Sequence, residues 1–170
     1  MPSVAFLRNL NQGQRGSPSS AHLVEAFELA GAQGVATFQS NGTVLFDAPD
    51  PDVCAASAVD HLAVTSPWSD AAFVRSTEWL VALVAGVGSD ETAFRRSELS
   101  LFDESLSPLG SLPIAGKRCT VVSGGPGFAL TENERDNESN ATPTLERALG
   151  TAVTSRGLPT LSRLVEWLAR

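Results

Sequence analysis

Short apolar runs in this chain alternate with longer stretches in which apolar residues recur every three to four positions. The run Val4 to Leu7 predicts a buried first strand. Leu23, Phe27 and Ala30 then lie at positions i, i+4 and i+7, which predicts an amphipathic helix. The pair Ser17-Pro18, a capping residue before a proline, predicts where that helix begins.

Asn41-Gly42 lies between two strand-like runs, Val35 to Ser40 and Thr43 to Asp47. An Asn-Gly pair in this setting predicts a β-hairpin, because both turn residues of the tightest hairpins need a positive φ. The sequence therefore places the second and third strands side by side.

The pair Asp50-Pro51 repeats the cap-then-proline signature and opens a second predicted helix. Its apolar positions are Val53, Ala56, Val59 and Leu62. Ala72 to Arg75 predicts a fourth strand, and Ser76-Thr77-Glu78 begins a third helix with Leu80, Leu83, Val84 and Val87 on one face.

A break in the pattern at Gly86 to Asp90 predicts a boundary between two lobes, residues 1–88 and 89–170. In the second lobe the predicted strands are Glu98 to Phe102, Cys119 to Ser123, Phe128 to Thr131 and Ala152 to Ser155. Helix starts are predicted at Thr142-Pro143 and Pro159, an irregular stretch at Leu106 to Gly116 and a mobile loop at Glu132 to Asn140. Because strands and helices interleave around a hairpin, the fold class is α+β, with helices covering the sheet.

Composition and charge exclude several classes of protein. The 170 residues are 42% hydrophobic and carry 12 basic against 19 acidic residues, a net charge of −7. An acidic chain without a basic stripe repels phosphate backbones, so we expect no nucleic-acid partner. No apolar run reaches the length of a membrane span, and no basic segment begins the chain. We therefore expect a cytoplasmic protein that does not enter a membrane.

No complete catalytic or metal-binding pattern is present. His22 and His61 lack partners at the spacing of a zinc site. Ser123 lacks the first glycine of the nucleophile elbow GxSxG. Cys54 and Cys119 are predicted to be buried thiols. We expect no metal and no cofactor.

Polar residues follow several predicted strands, at the points where those strands end. They are Arg8, Asn11, Gln39, Ser40, Thr154 and Arg156. Ligands of α/β sheets favour the crevice beyond the strand ends, and two arginines there would suit an anion. The alternative is that each arginine pairs with a surface carboxylate such as Asp47 or Glu78.

Three segments of the chain resemble a bacterial family of unknown function, domain of unknown function 1697. They are Leu7-Arg8-Asn9-Leu10-Asn11-Gln12-Gly13, Gln39-Ser40-Asn41-Gly42-Thr43-Val44-Leu45-Phe46 and Thr154-Ser155-Arg156-Gly157-Leu158-Pro159-Thr160. The resemblance implies two lobes, the first with a ferredoxin-like β-α-β-β-α-β arrangement. It implies no reaction. At Gly157-Leu158-Pro159 the chain departs from the Asn-Trp-Asn that is typical of the family.

Two functions are compatible with these residues. The first is a non-catalytic module that binds a small anionic or polar ligand, or a protein partner. The alternative is an enzyme for a phosphorylated or acyl substrate, with Arg8 and Arg156 stabilising charge near the Ser40 hydroxyl. We further predict that Arg8, Gln39 and Arg156 face a common cleft between the lobes, their tips within roughly 12 Å, the reach of one small ligand.

Overall fold

The computed structural model describes residues 1–88 and 90–170, which divide into two compact units, Met1–Leu80 and Val81–Arg170. Ser89, in the predicted boundary, lies outside the described residues. The strands are β1 Pro2–Leu7, β2 Gln33–Phe38, β3 Thr43–Asp47, β4 Ala72–Ser76, β5 Ser97–Leu101, β6 Ile114–Gly116, β7 Cys119–Gly125, β8 Phe128–Asn133 and β9 Thr154–Gly157. The helices are α1 Ser20–Leu29, α2 Pro51–Thr65, α3 Thr77–Gly86, α4 Glu91–Arg96, α5 Ala141–Leu149 and α6 Leu158–Leu168. None of the helices in the described ranges is both long enough and apolar enough to span a bilayer.

The first unit is a four-stranded antiparallel sheet in the order β2-β3-β1-β4. Val4 on β1 lies opposite Leu45 on one side and Arg75 on the other. This order, with α1 and α2 as the two crossovers, confirms the ferredoxin-like β-α-β-β-α-β arrangement and the α+β class. The helices pack on one face of the sheet, where the rings of Phe27 and Phe46 lie 4.9 Å apart.

Helices α1 and α2 begin where a side chain caps them, and the predicted start of α1 is wrong. The N-cap of α1 is Ser19, whose hydroxyl accepts the amide of His22 at 3.2 Å; the predicted cap, Ser17-Pro18, lies just before it. Helix α2 begins as predicted, with Asp50 accepting the amide of Val53.

The buried face of α2 differs from the predicted one. Its buried residues are Cys54, Ala55, Ala58 and Leu62, whereas Val53 is 65% exposed. Only Leu62 is common to both sets. The buried set is mostly small, and the Cys54 thiol lies 4.0 Å from the carbonyl oxygen of Phe27 on α1. Small side chains at this face allow the two helices to approach closely.

The predicted hairpin is present, but its connection is wider than a two-residue turn. Strand β2 ends at Phe38 and β3 begins at Thr43. The positive φ values are 56° at Gln39 and 73° at Gly42, and Asn41 has none. Tertiary bonds set this geometry, since the amide of Leu7 donates to the carbonyl of Gly42 at 2.8 Å.

The second unit is a five-stranded antiparallel sheet in the order β6-β7-β8-β5-β9. Its predicted strands are present, but helix α4, capped by Asp90, was not predicted, and β6 falls in the stretch predicted as irregular. Gly124 and Gly125 belong to β7, so the hairpin turn is Pro126-Gly127. Helix α5 packs over the face of this sheet that presents Val121 and Ala129.

The acidic stretch predicted as a loop is partly a strand and is held by ion pairs. Strand β8 continues to Asn133, which is 2% exposed. Asp136 pairs with Arg95 and Arg96, and Glu138 pairs with Arg118. Asp136 and Glu138 are therefore paired with arginines of the second unit, whereas Glu132 is exposed.

Candidate functional site

Three connecting segments of the first unit meet at one end of its sheet. Strands β1 and β2 both run antiparallel to β3. Both therefore end at the same end of the sheet at which β3 and β4 begin. The amide of Arg8 donates to the carbonyl of Ala71 at 2.8 Å, and the amide of Gln12 donates to the carbonyl of Ser40 at 2.9 Å. We call residues 8–17, 39–42 and 66–71 the loop cluster.

Arg8 is paired with a carboxylate of this cluster. Its Nη1 lies 2.9 Å from Oδ2 of Asp70, and the two side chains are 21% and 20% exposed. The side-chain amide of Asn9 donates to the same oxygen at 2.9 Å, and the indole of Trp68 donates to the Arg8 carbonyl at 3.0 Å. The structure therefore shows Arg8 paired with a nearby carboxylate.

That carboxylate is neither of the two considered in the sequence. Asp47 instead accepts a hydrogen bond from the amino group of Met1 at 3.0 Å. Arg8 is therefore paired with Asp70, and an anion binding at Arg8 would compete with that carboxylate. The other charged side chain of the cluster, Arg15, is exposed.

Gln12 lies in the middle of the loop cluster with an unsatisfied side chain. Its Oε1 accepts a hydrogen bond from the hydroxyl of Ser20 at 2.9 Å. Its Nε2 is shielded from solvent and has no hydrogen-bond partner in the described part of the chain. Exchanging the amide oxygen and nitrogen still leaves one of the two atoms without a partner, so this group is a cost to the fold.

Two non-glycine residues of the loop cluster have left-handed backbones. Asn9 has a φ of 52° and Gln39 a φ of 56°. Asparagine tolerates this region, but glutamine rarely adopts it. Such conformations cost of order 1 kcal/mol each and are concentrated at functional sites. Asn11 is better satisfied, because its Oδ1 accepts the amide of Gly13 at 3.0 Å.

The predicted site residues of the second unit lie together on β9. Nη1 of Arg156 donates to Oγ1 of Thr154 and to the carbonyl of Ser155, each at 2.9 Å. Burial lowers the pKa of Arg156 to about 10, which leaves the guanidinium charged at neutral pH.

The predicted residues therefore fall into two groups. Arg8, Asn11, Gln39 and Ser40 belong to the first unit, and Thr154 and Arg156 belong to the second. The common cleft for Arg8, Gln39 and Arg156 stays a prediction.

The Ser40 hydroxyl of the enzyme alternative, like that of Thr154, has no hydrogen-bonded base in the described part of the chain. Within residues 1–88 and 90–170, neither Ser40 nor Thr154 forms a hydrogen bond with an imidazole or a carboxylate. At the start of α1, Nδ1 of His22 accepts a hydrogen bond from the backbone amide of Ser19 at 3.5 Å. No group of His, Cys, Asp and Glu in those ranges is arranged to hold a metal ion.

Asp70, Trp68 and Gln12 belong to the loop cluster but are not among the site residues predicted from the sequence. The predicted residues follow strands, whereas Asp70 lies two positions before the start of β4. In an antiparallel sheet, strand starts and strand ends meet at the same edge. A polar residue just before a strand start, such as Asp70, is therefore the sequence signal for this site.

Residues 1–108 match the sequence pattern of a family described as "Protein of unknown function (DUF1697)". The chain belongs to this family. In this DUF1697 protein the match contains the whole first unit, and with it the loop cluster, but not the third motif at residues 154–160. None of the curated proteins matches the chain.

A solved structure has the same fold over nearly the full length. It is a conserved bacterial protein from Streptococcus pneumoniae, with a TM-score of 0.67 and 16% sequence identity. The alignment covers 99% of this DUF1697 chain and 98% of the other. At that identity, the similarity establishes the fold of both units and no shared activity.

Proposed function

We propose that this protein is a non-catalytic module that binds a small polar ligand at the loop cluster of its first unit. The residues that we assign to the site are Arg8, Asn11, Gln12, Gln39, Ser40 and Asp70. The observation that carries the proposal is the side-chain amide of Gln12, which is shielded and lacks one partner. A buried polar atom without a partner is costly, and sites that bind ligands keep such groups for recognition.

The surrounding loops support a role in binding. Asn11, Gly13 and Gln14 are exposed, so a shift of this segment would bring a ligand to the Gln12 amide. Gln39 has a left-handed backbone conformation that is unfavourable for glutamine. Its neighbour Ser40 accepts a hydrogen bond on its carbonyl oxygen from the backbone amide of Gln12. Strained backbone of this kind is concentrated at functional sites, which supports a binding role for this part of the cluster.

The charge balance selects the class of ligand. Asp70 neutralises Arg8 at 2.9 Å, so these two residues offer adjacent donors and acceptors rather than an unpaired charge, while Arg15, the other charged residue of the cluster, is exposed. Neutral molecules with several hydroxyl or amide groups, such as sugars and nucleosides, fit this pattern better than phosphates. A phosphate would have to displace Asp70 from Arg8.

Thermal-shift measurements with sugars, nucleosides, sugar phosphates and carboxylates test the proposal. A ligand at a hundredfold excess over its dissociation constant stabilises the protein by about 2.7 kcal/mol. We expect shifts with the neutral compounds that disappear in Gln12→Leu and Asp70→Asn. The control is Arg163→Ala, an exposed substitution on α6.

Arg156→Ala tests the separate prediction that Arg156 shares this site. A shift that persists unchanged in Gln12→Leu and Asp70→Asn would overturn the assignment of the loop cluster. A shift with phosphates alone would overturn the choice of a neutral ligand.

A further inference from the structure

The two sheets have four edge strands, and these differ in charge. Strand β4 contains Arg75 and β9 contains Arg156, while β6 has only three residues. Strand β2, Gln33–Phe38, has six residues and no charged side chain. In the described sheet of the first unit, β2 pairs with β3 on one side and with no strand on the other. Natural proteins usually protect such an edge with charged residues or proline.

The absence of charge extends well beyond β2. Residues 30–46 contain no Asp, Glu, Lys or Arg, in a chain with a net charge of −7. Two copies of an acidic protein repel each other at most surfaces. At residues 30–46 two copies can approach without repulsion between like charges. The surface best matched to an uncharged strand edge is another uncharged edge.

The backbone of β2 limits how much of the strand can pair. The pairing with β3 shifts between Gln33 and Ala36, and Gly34 has a φ of 60°. The regular part of the strand is therefore residues 35–38. Val35, Ala36 and Thr37 are small or medium-sized and half-buried, so another backbone can come within hydrogen-bonding distance.

We propose that a second copy of this chain docks on β2, with the two β2 strands antiparallel about a two-fold axis. The two four-stranded sheets then join into one eight-stranded sheet. In an antiparallel pair of identical strands, each strand makes the same backbone hydrogen bonds to the other, as closed two-fold symmetry requires. A pairing of about four residues buries less than the roughly 1,600 Å² of a standard stable interface, so the dimer is concentration-dependent. This inference is independent of the proposed ligand site.

Sedimentation velocity over a range of protein concentrations tests the association. The average mass is expected to rise from 17.8 kDa toward twice that value as concentration increases. Thr37→Lys places two like charges near the axis and is expected to raise the dimer dissociation constant at least tenfold. The matched control is Thr65→Lys at the exposed end of α2. Both variants reduce the net negative charge by one, which by itself favours association.

Cysteine cross-linking tests the register and does not depend on the Thr37 variant folding. The native Cys54 and Cys119 are buried. Val35→Cys, Ala36→Cys and Thr37→Cys are compared with Val64→Cys, whose position is 87% exposed. Disulfide geometry needs closely opposed Cβ atoms, so one of the three β2 positions should cross-link at least fivefold more than position 64.

Three results would overturn the inference. A wild-type mass that stays at the monomer value over all concentrations excludes the dimer. An equal effect of Thr37→Lys and Thr65→Lys, with both variants folded by circular dichroism, places the contact elsewhere. Cross-linking at positions 35, 36 and 37 no greater than at position 64 excludes pairing through β2.

Discussion

The Glu98 carboxylate on β5 accepts a hydrogen bond from the side-chain amide of Asn133 on β8, at 2.9 Å. The same oxygen, Oε2, accepts the backbone amides of Asn140 and Ala141, each at 3.1 Å. Asn140 is the N-cap of α5 but makes no capping bond with its own side chain. A residue more than forty positions earlier in the chain therefore caps this helix.

Glu98→Ala should lower the free energy of unfolding of the second unit by about 3 kcal/mol, because it leaves buried N–H groups without an acceptor. Denaturant titration followed by circular dichroism measures the change. The control is Glu132→Ala on β8, whose side chain is exposed, with an expected effect within about 0.5 kcal/mol. Similar losses in the two variants would contradict the capping role of Glu98.

Gly116→Ala should destabilise the second unit by about 1–3 kcal/mol, the usual range for overpacking. A Cβ at this position would overlap Oγ1 of Thr144 and lie 2.8 Å from Sγ of Cys119. Gly110→Ala is the control, since a Cβ there meets nothing within 4 Å. The melting temperature of Gly116→Ala should fall while that of Gly110→Ala stays near wild type; equal melting temperatures would show that α5 moves away without cost.

Gly42→Ala should be more destabilising than Gly31→Ala, although both glycines have positive φ values, 73° and 93°. A left-handed backbone costs a non-glycine residue roughly 1 kcal/mol at either position. At Gly42 the new Cβ also lies 3.0 Å from the carbonyl oxygen of Leu7, whereas at Gly31 it meets nothing within 4 Å. The difference between the two unfolding free energies therefore measures this contact, and no difference would mean that the hairpin connection moves freely.

The Cys54 thiol should react slowly with a disulfide reagent at pH 8 in the folded protein. Burial raises the pKa of Cys54, and the thiolate is the reactive form. The exposed Val64→Cys variant should gain one fast-reacting thiol, and denaturant should make all thiols fast. Fast reaction of Cys54 without denaturant would show that the packing of α1 on α2 opens readily.

The same raised pKa gives stability a pH dependence with a definite sign. In the unfolded chain the thiol ionises near its ordinary pKa of 9.0, while in the fold it keeps its proton to higher pH. The unfolded state thus binds fewer protons above that value, and the free energy of unfolding falls as the pH rises. In Cys54→Ala this contribution should vanish, so its unfolding free energy should decline less between pH 8 and 10 (about one unit either side of that pKa).

Much of the fold follows from local patterns. Asn41-Gly42 predicted a hairpin that is present, because the strands on either side are apolar and must pair to be buried. Asp50-Pro51 predicted the start of α2, since an aspartate cap and a proline act within one turn of helix. Gly150 ends α5 with a φ of 66°, a left-handed conformation that glycine adopts without cost.

Elements that depend on distant partners were not predicted correctly. The α5 start was assigned to Thr142-Pro143, whereas the helix begins at Ala141 under the Glu98 carboxylate. The buried face of α2 differs from the predicted one at every position except Leu62, because contact with α1 selects Cys54, Ala55 and Ala58 over the larger Val53. The spacing of apolar residues along the chain predicts neither the start of α5 nor the buried face of α2.

The sequence by itself determined the α+β class, the order of most elements and the resemblance to the DUF1697 family. These follow from periodicity, capping and turn chemistry, which act over a few residues. Only the tertiary structure showed that Asp70 balances Arg8 and that Gln12 is left with an unsatisfied amide. Arg8 and Asp70 lie 62 positions apart in the sequence. They pair because the antiparallel sheet brings strand starts and strand ends to the same end of the sheet.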